Sequence, residues 1–384
     1  MKKLLSIILT VIIAAAIFAG CGAETAGPNE IGIGINYELS GEVASYGQAS
    51  VSGIELAIEE INAAGGINGK LIKPFKYDNK SDKSQATTLT KKLMTQHKVS
   101  IVLGPATSGA FKATIPEATK NKVVVASGST TAEGVTSDEN GVKEFAFRIC
   151  FSDLYQGTAM ANYALKNMSA TKAVIIMDNS SDYGKGLAEN FKKTFEAGGG
   201  TIVATEAFVG GDTDFNAILT KIKGQEFDVI FIPGYYNEAG LIIKQARELG
   251  INSAILGADG FGAPELVELA GKSALNNVFF SSHFSVLDKN PAVSDFIANY
   301  NAKYGKDPDQ FAALGYDLVY FVADAIKRAG STDPVAIKDA LAATKDFPGI
   351  TGTFSIDENH DPVKDVIVVG FKDGEHATSE RVEQ

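Results

Sequence analysis

Cysteine is nearly absent from this chain, with two residues in 384, so stability has to come from a conventional core, which the length permits. Cys150 lies in the apolar stretch Phe145 to Phe151 and reads as a buried, inert thiol rather than a nucleophile. Histidine is almost as scarce. The four residues His97, His283, His360 and His376 show neither metal-ligand spacing nor a neighbouring nucleophile, and they read as solvated or packed side chains. Positive charge is in deficit, since the formal net charge is −11 and loss of Lys2 and Lys3 with a leader leaves −13. An acidic protein repels phosphate backbones and anionic headgroups, and no basic stripe or helix-turn-helix pattern offsets this, so nucleic acid is excluded as a partner.

Motifs of catalysis are missing as well. No G-x-S-x-G elbow and no G-x-x-x-x-G-K-[ST] loop occurs. Gly32-x-Gly34 starts a dinucleotide fingerprint, but Tyr37 stands at its third glycine position. The chain reads as a non-enzyme that needs no cofactor and no metal. After Ala19 no apolar run is long enough to cross a membrane, and no tandem repeat or low-complexity tract is present.

What is present begins with an address. Met1, Lys2 and Lys3 precede an apolar run from Leu4 to Ala19, shorter than the roughly 20 residues of a spanning helix. A charged start, apolar middle and small-residue end describe a secretory signal peptide over residues 1–20. Phe18-Ala19-Gly20-Cys21 resembles the bacterial lipobox, with Phe18 where Leu is usual. That resemblance implies cleavage that leaves Cys21 as a lipidated N-terminus, with residues 21–29 as a small, polar tether. Cys150 is then left alone, and no disulfide forms within the chain.

Short apolar runs alternate with helical stretches along the rest. Strands are expected at Glu30–Tyr37, Leu71–Tyr77, Val99–Leu103, Val123–Ala126, Ala173–Met177, Thr201–Phe208, Asp228–Ile232 and Ala254–Leu256, with helices between them. Fully apolar strands alternating with helices imply parallel sheets covered on both faces. The polar pause Thr136–Glu144 splits the series in two, so the fold class is α/β, with two doubly wound parallel-sheet lobes. Long helices follow at Pro291–Tyr304 and Gln310–Ala329, then a pair of strands at Ile350–Ser355 and Asp365–Phe371 with a turn between them at Asp357–Asp361.

Ligands bind where the loops after parallel strands converge. Those loops carry Ala106-Thr107-Ser108, then Gly128-Ser129-Thr130-Thr131, and Asp259 between Ala258 and Gly260. Tyr46, Tyr183 and Tyr235 follow other strands. Hydroxyls with free N–H groups suit a carboxylate, an Asp suits an ammonium, and aromatic rings suit an aliphatic stem. Together they describe a site for a free amino acid, whose two charges must both be met in a closed cleft. Taken singly, a Ser or Thr after a strand is a helix cap, and an Asp in a turn is a backbone bracket.

At this point the chain resembles the leucine/isoleucine/valine-type periplasmic binding proteins of ABC transport systems. The resemblance spans about Glu30 to Phe371 and rests on Leu39-Ser40-Gly41 with Tyr46-Gly47, the run Glu59 to Gly69, Gly104-Pro105 with Ser108, Arg148 with Asp153, Gln156 and Gly157, Asp182-Tyr183-Gly184, and Gly257-Ala258-Asp259-Gly260. It implies that Ser108 and Thr130 hold a ligand carboxylate and that the Gly128 carbonyl and Asp259 hold its ammonium, with Ser129 a substitute for its neighbours. It implies a side-chain pocket walled by Tyr46, Tyr183, Tyr235 and Phe311, with Ala106 and Thr107 near it. Some members have Glu where this chain has Asp259, and some have a first-lobe disulfide in the region of Ser81. The resemblance further implies a hinge of three crossovers near Phe145–Ile149, Phe279–Ser282 and Thr351–Phe354. Residues 30–149 and 281–352 then form lobe 1, and 150–280 and 353–384 form lobe 2. The implied protein is an exported monomer, periplasmic or lipid-anchored on the outer face of the cytoplasmic membrane. It captures an amino acid, branched-chain aliphatic favoured, for an ABC permease. Two alternatives share the fold: a sensing module for a receptor, and a binding protein for an amide, urea or an aromatic acid.

Overall fold

The computed structural model describes residues 23–382, and the expected leader and Cys21 lie outside them. The first lobe alternates β1 (Glu30–Tyr37), α1 (Ala44–Ala63), β2 (Leu71–Asp78), α2 (Lys83–Lys92), β3 (Ile101–Leu103), α3 (Ser108–Asn121) and β4 (Val124–Ser127). A small ladder, β5 (Ser137–Asp138) with β6 (Gly141–Val142), leads into β7 (Ala146–Arg148). Five parallel strands are ordered β2-β1-β3-β4-β7. β1, β3 and β4 are buried on both faces, as all-apolar runs between two helical layers must be.

The second lobe repeats the design with α4 (Asp153–Lys166), β8 (Lys172–Asp178), α5 (Asp182–Ala197), β9 (Thr201–Phe208), α6 (Asn216–Lys223), β10 (Val229–Ile232), α7 (Tyr236–Glu248), β11 (Ala254–Gly257), α8 (Glu265–Ala270) and β12 (Val278–Ser282). The chain then returns to the first lobe with α9 (Pro291–Tyr304), α10 (Gln310–Ala329) and α11 (Pro334–Ala342). These helices have clear stops and starts: the Asp309 carboxylate accepts the Ala312 N–H at 2.9 Å, and left-handed Gly330 ends α10. A small sheet β13 (Phe347–Gly349), β14 (Gly352–Ile356) and β15 (Pro362–Val363) follows, and β16 (Val366–Lys372) with β17 (Glu375–Val382) closes the chain.

The closing region differs from the sequence reading. The strand at Gly352–Ile356 does not pair with the one at Val366–Lys372. The Asp357–Asp361 turn instead joins β14 to β15, closed by the Asp357 N–H to Asp361 carbonyl bond at 2.9 Å. β16 runs antiparallel to β12 and takes β17 on its other edge, giving the second sheet the order β17-β16-β12-β11-β10-β8-β9. The last crossing is also later than Thr351–Phe354. Phe354 packs on Phe321 of α10 and Phe347 at 5.6 and 5.2 Å, so β14 stays with the first lobe. The assignment of 353–384 to the second lobe therefore holds only from about β16 onward.

Two doubly wound sheets thus face each other with the carboxyl ends of their parallel strands converging on one cleft. In the first sheet β1 and β3 are neighbours, and in the second β8 and β10, so each lobe offers a crevice where the strand order reverses.

Candidate functional site

The cleft narrows to a small void lined by Tyr46, Ala106, Thr107, Ser108, Ser129 and Phe311 from the first lobe and by Tyr183, Tyr235, Asp259 and Gly260 from the second. Of the residues expected at the site, Gly128 and Thr130 do not line the void. They flank Ser129 in the same loop, and Gly128 packs against Leu314 of α10. Gly260 was not foreseen; a Cβ there would meet the Gly234 carbonyl oxygen at 2.6 Å, a restriction set by residues distant in sequence.

On the first-lobe wall, Ser108 opens α3 and its Oγ accepts the Ala132 N–H at 3.1 Å, tying two loops together. A helix start with polar N–H groups favours an anion. The N–H groups of Ala106 and Thr107 and the Thr107 hydroxyl are already donated to Glu38, at 2.9, 3.2 and 2.9 Å. Glu38 is a buried carboxylate raised above its ordinary range by desolvation, and it holds this loop in shape. Ser129 Oγ donates to the Ala106 carbonyl at 2.9 Å. The Thr130 hydroxyl is fully buried and has no hydrogen-bond partner among the described residues.

On the opposite wall, Asp259 Oδ1 accepts from Tyr183 Oη at 2.7 Å and from Gln156 Nε2 at 3.1 Å. Tyr183 Oη also accepts the Gly260 N–H at 2.9 Å, so this tyrosine is a ring wall and a bracket together. Gln310, the residue before Phe311, donates to the Asp259 carbonyl at 2.6 Å across the cleft. The structure sets Asp259 beside Asp153, which burial and then the Asp259 charge push well above the usual carboxylate range.

Between the two walls the rings close up. Tyr46 lies 4.3 Å from Phe311, and Tyr183 stacks on Tyr235 at 5.1 Å. The Tyr46 and Tyr183 hydroxyls are engaged with the protein, so the surface left to a ligand there is apolar. A larger groove on the outer face of the first lobe lacks this arrangement, because its central carboxylate, Glu60, already accepts from Tyr316 and Tyr320 at 2.6 and 2.9 Å. Among the described residues no group of His, Cys, Asp and Glu side chains is placed to hold a metal ion, and no helix is long and apolar enough to cross a membrane. Cys150 is buried and its thiol is pushed well up by desolvation.

Two lobes meeting over a carboxylate, hydroxyls and aromatic rings define a protein that encloses a small solute in its cleft. Residues 30–375 match the periplasmic binding protein family, and the chain belongs to it. The Leu/Ile/Val-binding protein homolog 3 of Brucella melitensis is 32% identical over 347 residues, which is 90% of this chain and 92% of that protein. The substrate-binding protein LivJ of a branched-chain amino acid transporter from Streptococcus pneumoniae, solved with isoleucine, is 45% identical with a TM-score of 0.87, covering 92% of this chain and 100% of its own. The leucine-binding protein LivK of Thermotoga maritima follows at 34% identity and a TM-score of 0.84, covering 92% and 97%.

Proposed function

We propose that this protein is the extracytoplasmic solute-binding component of an ABC importer, and that it captures a free amino acid with an aliphatic side chain in the cleft. The observation that carries this reading is the opposition of Asp259 to Ser108 across an aromatic-walled void, with the unpartnered Thr130 hydroxyl in the loop beside it. Asp259 receives the ammonium, with the Gly128 carbonyl as its second acceptor. Ser108 and Thr130 take the carboxylate, and Tyr46, Tyr235 and Phe311 surround the side chain. The apolar ring faces of Tyr46, Tyr235 and Phe311 suit an aliphatic side chain. Relatives named for leucine, isoleucine and valine support the same choice.

Closure of the two lobes on the ligand gives a permease a way to tell loaded from empty protein. Cys21, acylated, tethers the monomer to the outer face of the membrane. Thermal unfolding of the purified domain against each common amino acid, urea and simple amides tests the reading. A ligand at 100 times its Kd adds about 2.7 kcal/mol of stability, so a selective rise in midpoint with leucine, isoleucine or valine is expected. A response confined to urea or an amide overturns the assignment of Asp259 and Ser108.

A further inference from the structure

Behind the Asp259 carboxylate lie three buried groups that the proposed site does not use: Asp153 at the start of α4, Gln156 one turn on, and His283 just past β12, where the chain crosses to the first lobe. Gln156 Nε2 donates to both acids, at 2.8 Å to Asp153 Oδ1 and 3.1 Å to Asp259 Oδ1. Two carboxylates bridged by one amide inside a closed site do not both ionise. Asp153 is pushed well above the usual carboxylate range, first by burial and then by the charge of Asp259. An enclosed charge needs a cation.

Nearby cations are few. Arg148 is committed to Asp361 at 2.7 and 2.8 Å and to the carbonyls of Thr130, Thr131 and Ala132. Lys364 donates to the Ile149 carbonyl and to Thr351 Oγ1, at 3.1 and 2.8 Å. His283 remains. Its Nε2 is 3.6 Å from Asp259 Oδ2, within ion-pair reach but beyond a hydrogen bond. Neither of its ring nitrogens has a hydrogen-bond partner among the described residues. The ring is 1% exposed and stacks on Phe151 at 3.6 Å, while its main-chain N–H donates to Gln310 Oε1 at 3.0 Å. Its position is therefore fixed, and its ring chemistry is unassigned.

We propose that His283 is an exchangeable counter-ion of Asp259: the protonated imidazole neutralises the carboxylate while the cleft is empty, and the ammonium of an incoming amino acid replaces it. The ligand enters as a zwitterion and forms no covalent bond to the protein, while the imidazolium N–H bond breaks and its proton passes to bulk water or buffer. This rests on the reading that Asp259 receives the ammonium. In the closed site burial lowers His283 to about 4, with Lys364 acting in the same direction and Asp259 against it. An open, hydrated cleft returns it toward the ordinary value of about 6.5. Between those values an open, empty cleft holds a proton that the closed cleft, into which the ligand locks the protein, lacks. Affinity therefore falls as pH drops through that range, by up to about tenfold per unit. Asp153, Tyr183, Tyr46, Tyr235 and Cys150 are the other titratable groups within reach of the Asp259 charge, and a variant separates their effects from that of His283.

Calorimetric titration with L-leucine in buffers of different ionisation enthalpy reads the proton count directly. About one proton released per leucine at pH 5.5 and nearly none at pH 7.5 is expected. His283→Gln is expected to abolish the release and to keep leucine binding at pH 7.5. Binding by the native protein without release at pH 5.5, or equal release from His283→Gln, overturns the inference and leaves the binding reading intact. No leucine binding at pH 7.5 sinks the binding reading and this inference with it. Imidazole NMR of the native protein is independent of the variant's folding. One ring of the four should turn from charged to neutral when leucine is added at pH 5.5, and four unresponsive rings would refute the exchange.

Discussion

The Tyr46 hydroxyl, on the first lobe, donates to the Gly260 carbonyl of the second at 2.6 Å, and it accepts the Tyr236 N–H at 3.2 Å. One side chain is thus both a wall of the void and a tie across the cleft. The wall needs the ring, whereas the tie needs only the oxygen. Tyr46→Phe therefore isolates the tie. Two neutral hydrogen bonds contribute about 0.5–1.5 kcal/mol each, so amino acid affinity should fall roughly tenfold, mainly through faster release. Stopped-flow release rates measured across several amino acids check this. A uniform loss is expected, and a reordered ligand preference would mean that the oxygen itself touches the ligand.

Thr130 offers a test in which stability and binding move oppositely. Its buried hydroxyl has no hydrogen-bond partner among the described residues, a condition that costs about 1–3 kcal/mol. Thr130→Val keeps the shape and removes the polar atom. The ligand-free variant should melt at the same temperature or higher. Its amino acid affinity should drop about 10- to 100-fold, the worth of a hydrogen bond to a carboxylate. Unchanged affinity would take Thr130 out of the carboxylate site and leave that task to Ser108.

The same contrast marks what was legible in the chain. Helices such as Pro291–Tyr304 and Gln310–Ala329 were readable to the residue because their signals are local: Asn290 before Pro291, Asp309 before Gln310, and left-handed Gly305 and Gly330 behind. Loops after strands pointed to Ser108, Asp259 and Tyr183 for the same reason. Glu38 gave no such sign, and Gln156 showed only as a landmark of the resemblance, since their partners lie 68 and 103 residues away; His283 was hidden because it sits past β12, where the chain leaves the lobe of Asp259. β17 was also hidden. Its side chains are mostly exposed and polar, so it exists only because β16 presents a free edge. The supposed pairing of the two closing strands failed because a turn fixes only which residues it joins, here β14 to β15.

Main-chain contact between α1 and α10 sets the distance from Tyr46 to Phe311. A Cβ at Gly315 would stand 2.1 Å from the Ser50 carbonyl oxygen, and one at Gly53 would stand 1.9 Å from that of Ala312. The obstacle is backbone in both cases, so no side chain can rotate away. Alanine gains about 1 kcal/mol of helix propensity over glycine, but overpacking a core costs 1–3 kcal/mol or more. Gly315→Ala is expected to destabilise the protein by about 2 kcal/mol in urea titration, and to weaken ligand binding as Phe311 shifts. A loss under 1 kcal/mol would show that the two helices can move apart without harm.

Lys364 gives a pH dependence whose sign can be worked out in advance. It is 4% exposed, and it bonds the Ile149 carbonyl near the first crossing and Thr351 just before β14, while Thr351 Oγ1 donates to Asp317 at 2.6 Å. Burial lowers its ammonium to about 8 from the ordinary 10.5, with Asp317 opposing the shift. Between those values the unfolded chain keeps a proton that the folded protein has lost, so stability rises with pH. Below pH 8 both states are charged and the burial penalty is constant; above 10.5 both are neutral and the penalty is gone. The span amounts to about 3 kcal/mol. Unfolded tyrosines ionise near 10 and act in the opposite direction, so the useful window is pH 8 to 9.5. Lys364→Met leaves two oxygens short of a donor, which limits any gain at pH 7, but it should flatten the slope in that window. Urea midpoints at half-unit steps of pH measure this directly. A slope that survives the substitution would assign the titration to another group.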